Sequence, residues 1–186
     1  MHLSWPIIQT HSFSIFHQPC IGRVLPAMAH MYPNALVEAN VLATEVPNIE
    51  IAPKGINVRL HGLIEFYVTQ NVTNATTSTP HFTFATNVDI TLNVSVTLRD
   101  LKIVAEFTDY NIDLSLNRTD IGDVNIGYLQ FVVNIFMMTS IMPRLDLMGE
   151  AGFQLPVIKD VEYLNPSIVF LENAIYAGVD AHFTGI

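Results

Sequence analysis

The apolar residues between Gly122 and Gly152 follow a helical period. From Val124 to Met142 they form two stripes, in each of which neighbours lie three or four positions apart. The first stripe is Tyr128, Phe131, Ile135, Met138 and Met142, and the second stripe is Ile126, Leu129, Val133, Phe136 and Ser140. Only Gln130 and Asn134 leave a narrow polar seam between the stripes. A helix that is apolar on nearly all sides must be covered by protein, by membrane or by a ligand.

The apolar run of this helix is short for a membrane span. Its apolar run from Tyr128 to Met142 has 15 residues, contains two amides, and is followed by Pro143 and Arg144. A helix needs about 20 apolar residues to cross a bilayer. The pattern therefore predicts a helix that ends near Met142 and is covered within a protein.

Two long stretches alternate between apolar and polar residues, as strands do when one face is buried. The first stretch runs from Ile56 to Val68, and the second covers seventeen residues from Phe82 to Leu98. Arg99 and Asp100 have the length of a two-residue hairpin turn, which would fold a second long strand back onto the first. The pattern predicts an antiparallel hairpin far longer than the usual five or six residues.

The second strand of this hairpin changes its phase. Its apolar residues lie at odd positions up to Phe107 and at even positions from Tyr110 onward. A β-bulge produces such a shift, and we place one near Thr108 and Asp109. Strands of this length can bury one face only if the sheet wraps an equally long object, which is the helix that we expect Asp123 to cap.

Shorter periodic segments complete the pattern. A short helix from Cys20 to Met31 precedes a strand from Val37 to Ala43, and the chain after the long helix holds further strand segments from Phe153 to Phe183, broken by a turn at Asn165 and Pro166. The expected fold class is α+β: a long, highly twisted antiparallel sheet with a β-bulged hairpin, wrapped around a long helix.

Composition and charge narrow the function classes. The 186 residues are 50% hydrophobic and 13% charged, so the chain carries more apolar surface than a self-contained domain needs. The net charge is −9, and the 8 basic residues are scattered singly. Without a basic stripe to follow a phosphate backbone, we expect no nucleic acid partner and no electrostatic docking on an anionic membrane.

The sequence carries no recognisable catalytic or metal-binding motif. The seven histidines form no H-x-x-H or H-E-x-x-H pair, and no G-x-S-x-G, G-x-G-x-x-G or P-loop is present. The acids Asp109 and Asp113 fall on the outward face of a strand, where solvated carboxylates are ordinary. We expect no enzyme, no catalytic residue, no metal and no cofactor.

The single cysteine and the glycosylation motifs bear on the compartment. Cys20 has no partner for an internal disulfide. Four N-x-[ST] acceptors, at Asn71, Asn74, Asn93 and Asn117, point to the secretory pathway and to a glycoprotein. No basic segment followed by an apolar core begins at Met1, so no signal peptide is visible.

Several short motifs, in order, resemble a known family. They are Met31-Tyr32-Pro33-Asn34, Pro53-Lys54-Gly55, Pro143-Arg144, Gly152-Phe153-Gln154-Leu155-Pro156 and Tyr176-Ala177-Gly178-Val179-Asp180. Together they are similar to the C-terminal barrel of the BPI, LBP, CETP and PLUNC family of tubular lipid-binding proteins. The resemblance covers about Cys20 to Phe183. Asp146 and Gly149 depart from it, because relatives usually carry a more strongly helix-forming turn at this point.

The resemblance implies a fold and a function. Proteins of this family have two similar barrels joined by a central sheet, each with a long helix and an apolar pocket for acyl chains. Residues 20–186 would be the second barrel, residues 1–19 a poorly ordered N-terminal segment, and the chain a fragment, processed form or alternative start of a secreted protein. The family context is innate immunity or lipid transfer, with phospholipid or lipopolysaccharide as ligand.

Two functions remain open from the sequence. The first is a lipid-binding module in which part of the helix and the segment after it line the apolar pocket; the expected lipid-binding residues are Leu129, Val133, Phe136, Met137, Met138, Phe153 and Leu155. The second is a structural module whose apolar excess packs on a partner barrel, without lipid. In both cases at least one stripe of the helix is dry core.

Overall fold

The structure is a computed structural model, and it describes residues 12–13, 25–33, 35–69 and 79–185. The described elements, in chain order, are β1 (Ser12–Phe13), α1 (Pro26–Met31), β2 (Leu36–Ala43), β3 (Asn48–Ala52), β4 (Gly55–Thr69), β5 (His81–Arg99), β6 (Lys102–Thr119), α2 (Ile126–Phe136), a π-helical turn (Met137–Ile141), α3 (Met142–Ala151), β7 (Phe153–Gln154), β8 (Val161–Leu171) and β9 (Ala174–Phe183). The expected fold class is confirmed, since the chain is α+β with a twisted antiparallel sheet and one long helix.

The strands form two sheets. Seven strands make the larger sheet in the order β1, β2, β4, β5, β6, β7, with β3 paired to β4 beside β2. The N-terminal half of β4 pairs with β3 and its C-terminal half pairs with β2, both antiparallel. Strands β8 and β9 make a separate antiparallel pair.

The chain divides into two compact units. The first takes in the described residues of Met1–Val46, Leu60–Asp89 and Ile112–Val133, and the second takes in Pro47–Arg59, Ile90–Asn111 and the described residues of Asn134–Ile186. The single domain expected for residues 20–186 stays a prediction. Most of the segment 1–19 lies outside the described residues, although Ser12 and Phe13 pair with Asn40 and Ala39 of β2.

The long hairpin is present, with its turn one residue later than predicted. Strands β5 and β6 have 19 and 18 residues. The turn residues are Asp100 and Leu101, with φ of 48° and 59°, so both adopt the left-handed conformation of a type I′ turn. Neither residue is a glycine, which is why the sequence marks the turn poorly. In β6 two successive exposed residues, Thr108 and Asp109, interrupt the alternation at the predicted change of phase.

The core of the first unit is built on stacked aromatic rings. Phe66 of β4 and Phe84 of β5 lie with ring centroids 4.3 Å apart, and Phe84 is fully buried. Thr83 is also fully buried, and its hydroxyl donates to the Phe66 carbonyl at 2.8 Å. Thr86 is equally buried, but its hydroxyl has no hydrogen-bond partner among the described residues. This core therefore contains one satisfied and one unsatisfied hydroxyl on the same strand.

The second unit holds the β3–β4 hairpin and the β8–β9 hairpin. The predicted turn at Asn165 and Pro166 is instead an irregularity inside β8, where the register shifts between Leu164 and Ser167. Asn165 has a φ of 47°, which accounts for this irregularity in the strand. The actual reversal lies between Leu171 and Ala174, so the predicted final strand is the end of β8 followed by β9.

The long helix starts and ends elsewhere than predicted. It begins at Ile126, and the Asn125 side chain, rather than Asp123, caps it by accepting from the Tyr128 backbone N–H at 3.0 Å. It continues past Met142 to Ala151, and Gly152 ends it with a φ of 55°. Pro143 lies inside the helix directly after the π turn.

The π turn is what lets the helix pass this proline. Met142 donates its N–H to the Met137 carbonyl, five residues back, so one extra residue is held in the turn. Proline has no N–H to donate and its ring crowds the preceding turn, and a widened turn absorbs both effects. The segment around Pro143, predicted to follow the end of the helix, therefore lies within it at a point of altered pitch.

With this extension, the helix Ile126–Ala151 has 26 residues and is long and apolar enough to cross a membrane, by length and composition alone. The prediction that the helix ends near Met142 is wrong. Core helices of soluble proteins pass the same test, and only 17% of the most apolar 18-residue window is buried here. Much of this part of the helix is thus not buried by the residues that the structure describes.

Candidate functional site

The two stripes of the long helix have different environments. In the second stripe Leu129 is buried, and Ile126, Val133, Phe136 and Ser140 are half-buried. In the first stripe Met142 is half-buried and the other members are exposed: Tyr128 to 41%, Phe131 to 56%, Ile135 to 42% and Met138 to 60%. The first stripe is therefore the uncovered apolar face, which the sequence pattern alone could not distinguish from the second.

The residues predicted to bind lipid fall into three environments. Leu129 and Met137 are buried, at 5% and 6% exposure, as expected of dry core. Val133, Phe136 and Leu155 are half-buried, while Met138 and Phe153 are exposed to 60% and 65%. A role in lipid contact stays a prediction for all seven, and their exposure favours Met138 and Phe153 over Leu129 and Met137.

The segment after the helix is fixed to the tip of the long hairpin. Phe153 pairs with Ile103 in the β6–β7 ladder, and the Leu155 N–H donates to the Leu101 carbonyl at 2.8 Å. Gly149 lies directly against Ala105, with no room for a side chain. This packing anchors α3 and β7 on β6 in the second unit.

Gln130, one of the two amides between the stripes, has a structural role in the first unit. Its side-chain amide donates to the Ile112 carbonyl, and its oxygen accepts from the Leu114 N–H at 2.9 Å. Both partners belong to β6, so the glutamine satisfies backbone groups of that strand in place of a neighbouring strand. The Gln130 side chain thus joins α2 to β6.

An apolar cavity lies beside the start of the helix in the first unit. It has a volume of about 410 Å³, and its wall consists mostly of apolar residues together with two polar ones: Leu25, Pro26, Ala27, Ile121, Val124 and Tyr128, with Asp123 and Asn125. Tyr128 also belongs to the first stripe, and its ring lies 6.1 Å from that of Phe131. None of the seven predicted residues lines this cavity. A sequence signal for this cavity does exist: the first stripe and α1 are both apolar, so they could be expected to pack near each other.

The predicted glycosylation sites differ in position. Asn71 and Asn74 lie outside the described residues. Asn93 is half-buried in β5, and Asn117 is exposed near the end of β6, where its amide nitrogen donates to Asn87 at 2.9 Å. Glycosylation at all four stays a prediction.

In the part of the chain that the structure describes, no group of three or more His, Cys, Asp or Glu side chains could hold a metal ion. His61 and Asp89 form an isolated pair at 2.5 Å on the exposed face of β4 and β5. The pKa of Tyr67 is raised, first by burial and then by the neighbouring Glu65, whose carboxylate accepts a hydrogen bond from the Tyr67 hydroxyl at 3.0 Å.

Comparisons with known proteins agree with this architecture. The chain is 19% identical to the lipopolysaccharide-binding protein of Bos taurus and 22% identical to that of Homo sapiens, in each case over 86% of the chain and 32% of the relative. It is 21% identical to the bactericidal permeability-increasing protein of Rattus norvegicus, with the same coverage. The chain thus spans about a third of the length of the relatives it matches.

A solved structure and a family model extend the match to nearly the whole chain. A crystal structure of lipopolysaccharide binding protein superposes with a TM-score of 0.74 at 16% identity, covering 96% of this chain and 41% of that one. The family model describes the C-terminal domain of the LBP / BPI / CETP family and matches residues 7–183. The chain belongs to the LBP / BPI / CETP family, and what it contains is the C-terminal domain of that family.

Proposed function

We propose that this chain is a non-catalytic lipid-binding module, which holds phospholipid or lipopolysaccharide acyl chains against apolar side chains. The observation that carries the proposal is the exposed first stripe of the long helix. Each unit presents its own part of that stripe, Tyr128 and Phe131 in the first and Ile135 and Met138 in the second. Family membership supports the same function, since its named members include lipopolysaccharide-binding proteins.

The chemistry of the stripe suits hydrocarbon. Between Ile126 and Pro143 the helix has no charged residue, and the only polar side chains are amides and hydroxyls. Each methylene group of an acyl chain that leaves water for such a surface contributes roughly 0.8 kcal/mol. Exposed Phe153, Leu147 and Met148 add apolar surface in the second unit. The proposed setting is extracellular, in innate immunity or lipid transfer, as for the family as a whole.

The direct test is lipid content and lipid uptake. The chain, secreted from a eukaryotic host behind an added signal peptide, is extracted for lipid mass spectrometry and mixed with vesicles that contain a fluorescent phospholipid. We expect co-purified lipid and saturable uptake. Recovery of the protein without lipid, together with no uptake, would overturn the proposal. Recovery only from membranes that have been washed with carbonate would also overturn it, because such a protein is embedded in the membrane.

Matched variants locate the contact. Phe131→Gln and Met138→Gln each replace an exposed apolar residue by a good helix former, so they should lower uptake severalfold without unfolding the helix. Val46→Gln is the control, because Val46 is 88% exposed in the loop between β2 and β3. Equal lipid uptake by all three variants would show that the first stripe does not contact the lipid.

A second candidate is a module that packs on a partner barrel. The β8–β9 pair favours it, because a two-stranded sheet is marginal by itself and this one exposes Val169 to 47%, Leu171 to 50%, Tyr176 to 60% and Phe183 to 67%. If this is the whole function, the isolated chain will hold no lipid and will aggregate until a first barrel is added.

A further inference from the structure

A cleft with both polar and apolar lining lies in the second unit between the β3–β4 turn and the middle of β5. Its volume is about 530 Å³, and the side of its wall formed by β3, β4 and their turn consists of Glu50, Ala52, Lys54, Gly55, Ile56 and Asn57. The rest of the wall consists of Thr108 and of Asn93, Val94 and Ser95, which are the three residues of one glycosylation motif. A complete N-x-S motif inside a cleft is an arrangement that the sequence motif alone does not predict.

The side chain of Asn93 is held in a defined orientation. Its oxygen accepts a hydrogen bond from the Asn57 amide at 2.9 Å, and the Asn57 oxygen accepts in turn from the Arg59 side chain at 3.1 Å. The Asn93 amide nitrogen, which is the atom that bears the sugar in an N-linked glycan, takes no part in this bond. Glycosylation would therefore leave the contact between the two asparagines intact.

We propose that Asn93 carries an N-linked glycan whose first sugars lie in this cleft. The Asn93 amide nitrogen bonds to the anomeric carbon of an oligosaccharide donor linked to a diphospho-lipid. The sugar–phosphate bond breaks, the lipid diphosphate leaves, and the amide loses one proton. Transfer takes place on the extended chain before β5 pairs with its neighbours, because Asn93 is half-buried afterwards.

The lining of the cleft suits a sugar. A saccharide presents hydroxyl groups that both donate and accept, and the wall offers the Lys54 ammonium group and the Ser95 hydroxyl. The Thr108 hydroxyl already donates to the Asn93 carbonyl at 3.3 Å, so it offers a sugar an acceptor. The wall is also fixed in place. A Cβ atom on Gly55 would lie 3.0 Å from the Val94 carbonyl oxygen, so the turn sits closely on β5, and the Gly55 φ of 135° suits glycine.

The test compares the release of glycan from the folded and the unfolded chain. The full chain, with an added signal peptide, is expressed in mammalian cells, and glycopeptides from medium and cells are analysed by mass spectrometry. We expect Asn93 to be occupied, with glycans that stay high in mannose because the processing enzymes reach them poorly. Peptide N-glycosidase should release them about tenfold or more slowly from the native than from the denatured chain.

Variants and an internal control complete the experiment. Ser95→Ala should remove one glycan while keeping Asn93, and Asn57→Ala should speed native release at Asn93 by opening one wall. A glycan on exposed Asn117 should be released at similar rates from both states. An unmodified Asn93, or equal native and denatured rates there, would overturn the proposal.

Discussion

Gly149 permits the contact between the long helix and β6, and replacing it gives the most direct test of that packing. A Cβ atom at this position would lie 3.0 Å from the carbonyl carbon of Ala105 and closer still to its oxygen. Real side chains essentially never approach this closely, and the opposing atoms are backbone, which cannot rotate away. Gly149→Ala must therefore displace α3 from β6.

Two opposing terms set the size of the effect. Alanine is better than glycine in a helix by about 1 kcal/mol, while overpacking of a close contact costs typically about 1–3 kcal/mol. The rigid backbone places the cost at the upper end, so we expect a net loss of about 1–2 kcal/mol. With a urea slope of about 2 kcal/mol per molar, the unfolding midpoint should fall by about 0.5–1 M.

The same substitution earlier in the helix is the matched control. A Cβ atom on Gly127 would meet only the Asn125 side-chain oxygen, at 3.6 Å, which is an ordinary contact. Gly127→Ala should therefore increase the free energy of unfolding by up to about 1 kcal/mol and raise the urea midpoint accordingly. Both variants are compared with the parent chain by circular dichroism in urea. A Gly149→Ala chain as stable as the parent would refute the close contact.

A double variant tests the cause. Because the clash is with the backbone of Ala105, removing the Ala105 side chain should give no relief. Ala105→Gly combined with Gly149→Ala is therefore expected to be at least as unstable as Gly149→Ala alone. Full recovery in the double variant would mean that the side chain, and not the backbone, limits the approach.

Four further substitutions probe the first unit. Thr83→Val should cost about 1–2 kcal/mol because it removes a hydrogen bond between a buried hydroxyl and the Phe66 carbonyl. Thr86→Val removes a hydroxyl that has no partner among the described residues, so it should be neutral or stabilising; urea midpoints compare the two variants. Gln130→Ala should cost about 2–3 kcal/mol, since two backbone groups of β6 lose their partner, and faster amide exchange at the freed N–H would show the site. The pKa of Tyr67 is raised in the folded state, so its contribution to stability is present below the unfolded value of about 10 and is lost as pH rises through the raised pKa. Tyr67→Phe should therefore flatten the fall in stability above about pH 10, and an unchanged slope would count against it.

The sequence predicts the sheet better than the helix. Strands β4, β5 and β6 follow from their alternation, because a strand with one buried face must carry a two-residue period. The change of phase near Thr108 is visible for the same reason. The exact turn is not, since Asp100 and Leu101 adopt positive φ without the glycine that usually marks such a turn.

The helix and its site depend on contacts that a linear pattern does not contain. Pro143 and Gly149 have the character of helix breakers, yet a π turn accommodates the first and close packing on Ala105 requires the second. Both stripes are apolar and equally regular, so periodicity could not show that Leu129 is buried and that Phe131 is exposed. Which stripe is buried depends on the side of the helix that packs on β6 in the folded chain.

The π turn also sets the rotational phase of everything that follows it. One residue of an α-helix turns about 100° around the axis. The π turn holds one extra residue in a single turn, so its five residues rotate the chain about as far as four residues of an ordinary α-helix. If Met137–Ile141 tightened to an ordinary pitch without a change of length, α3 would rotate by about 100° relative to α2, and Gly149 would no longer face Ala105. Deleting one residue together with that tightening would keep Gly149 in phase, so a single deletion in this segment should be tolerated better than a single insertion.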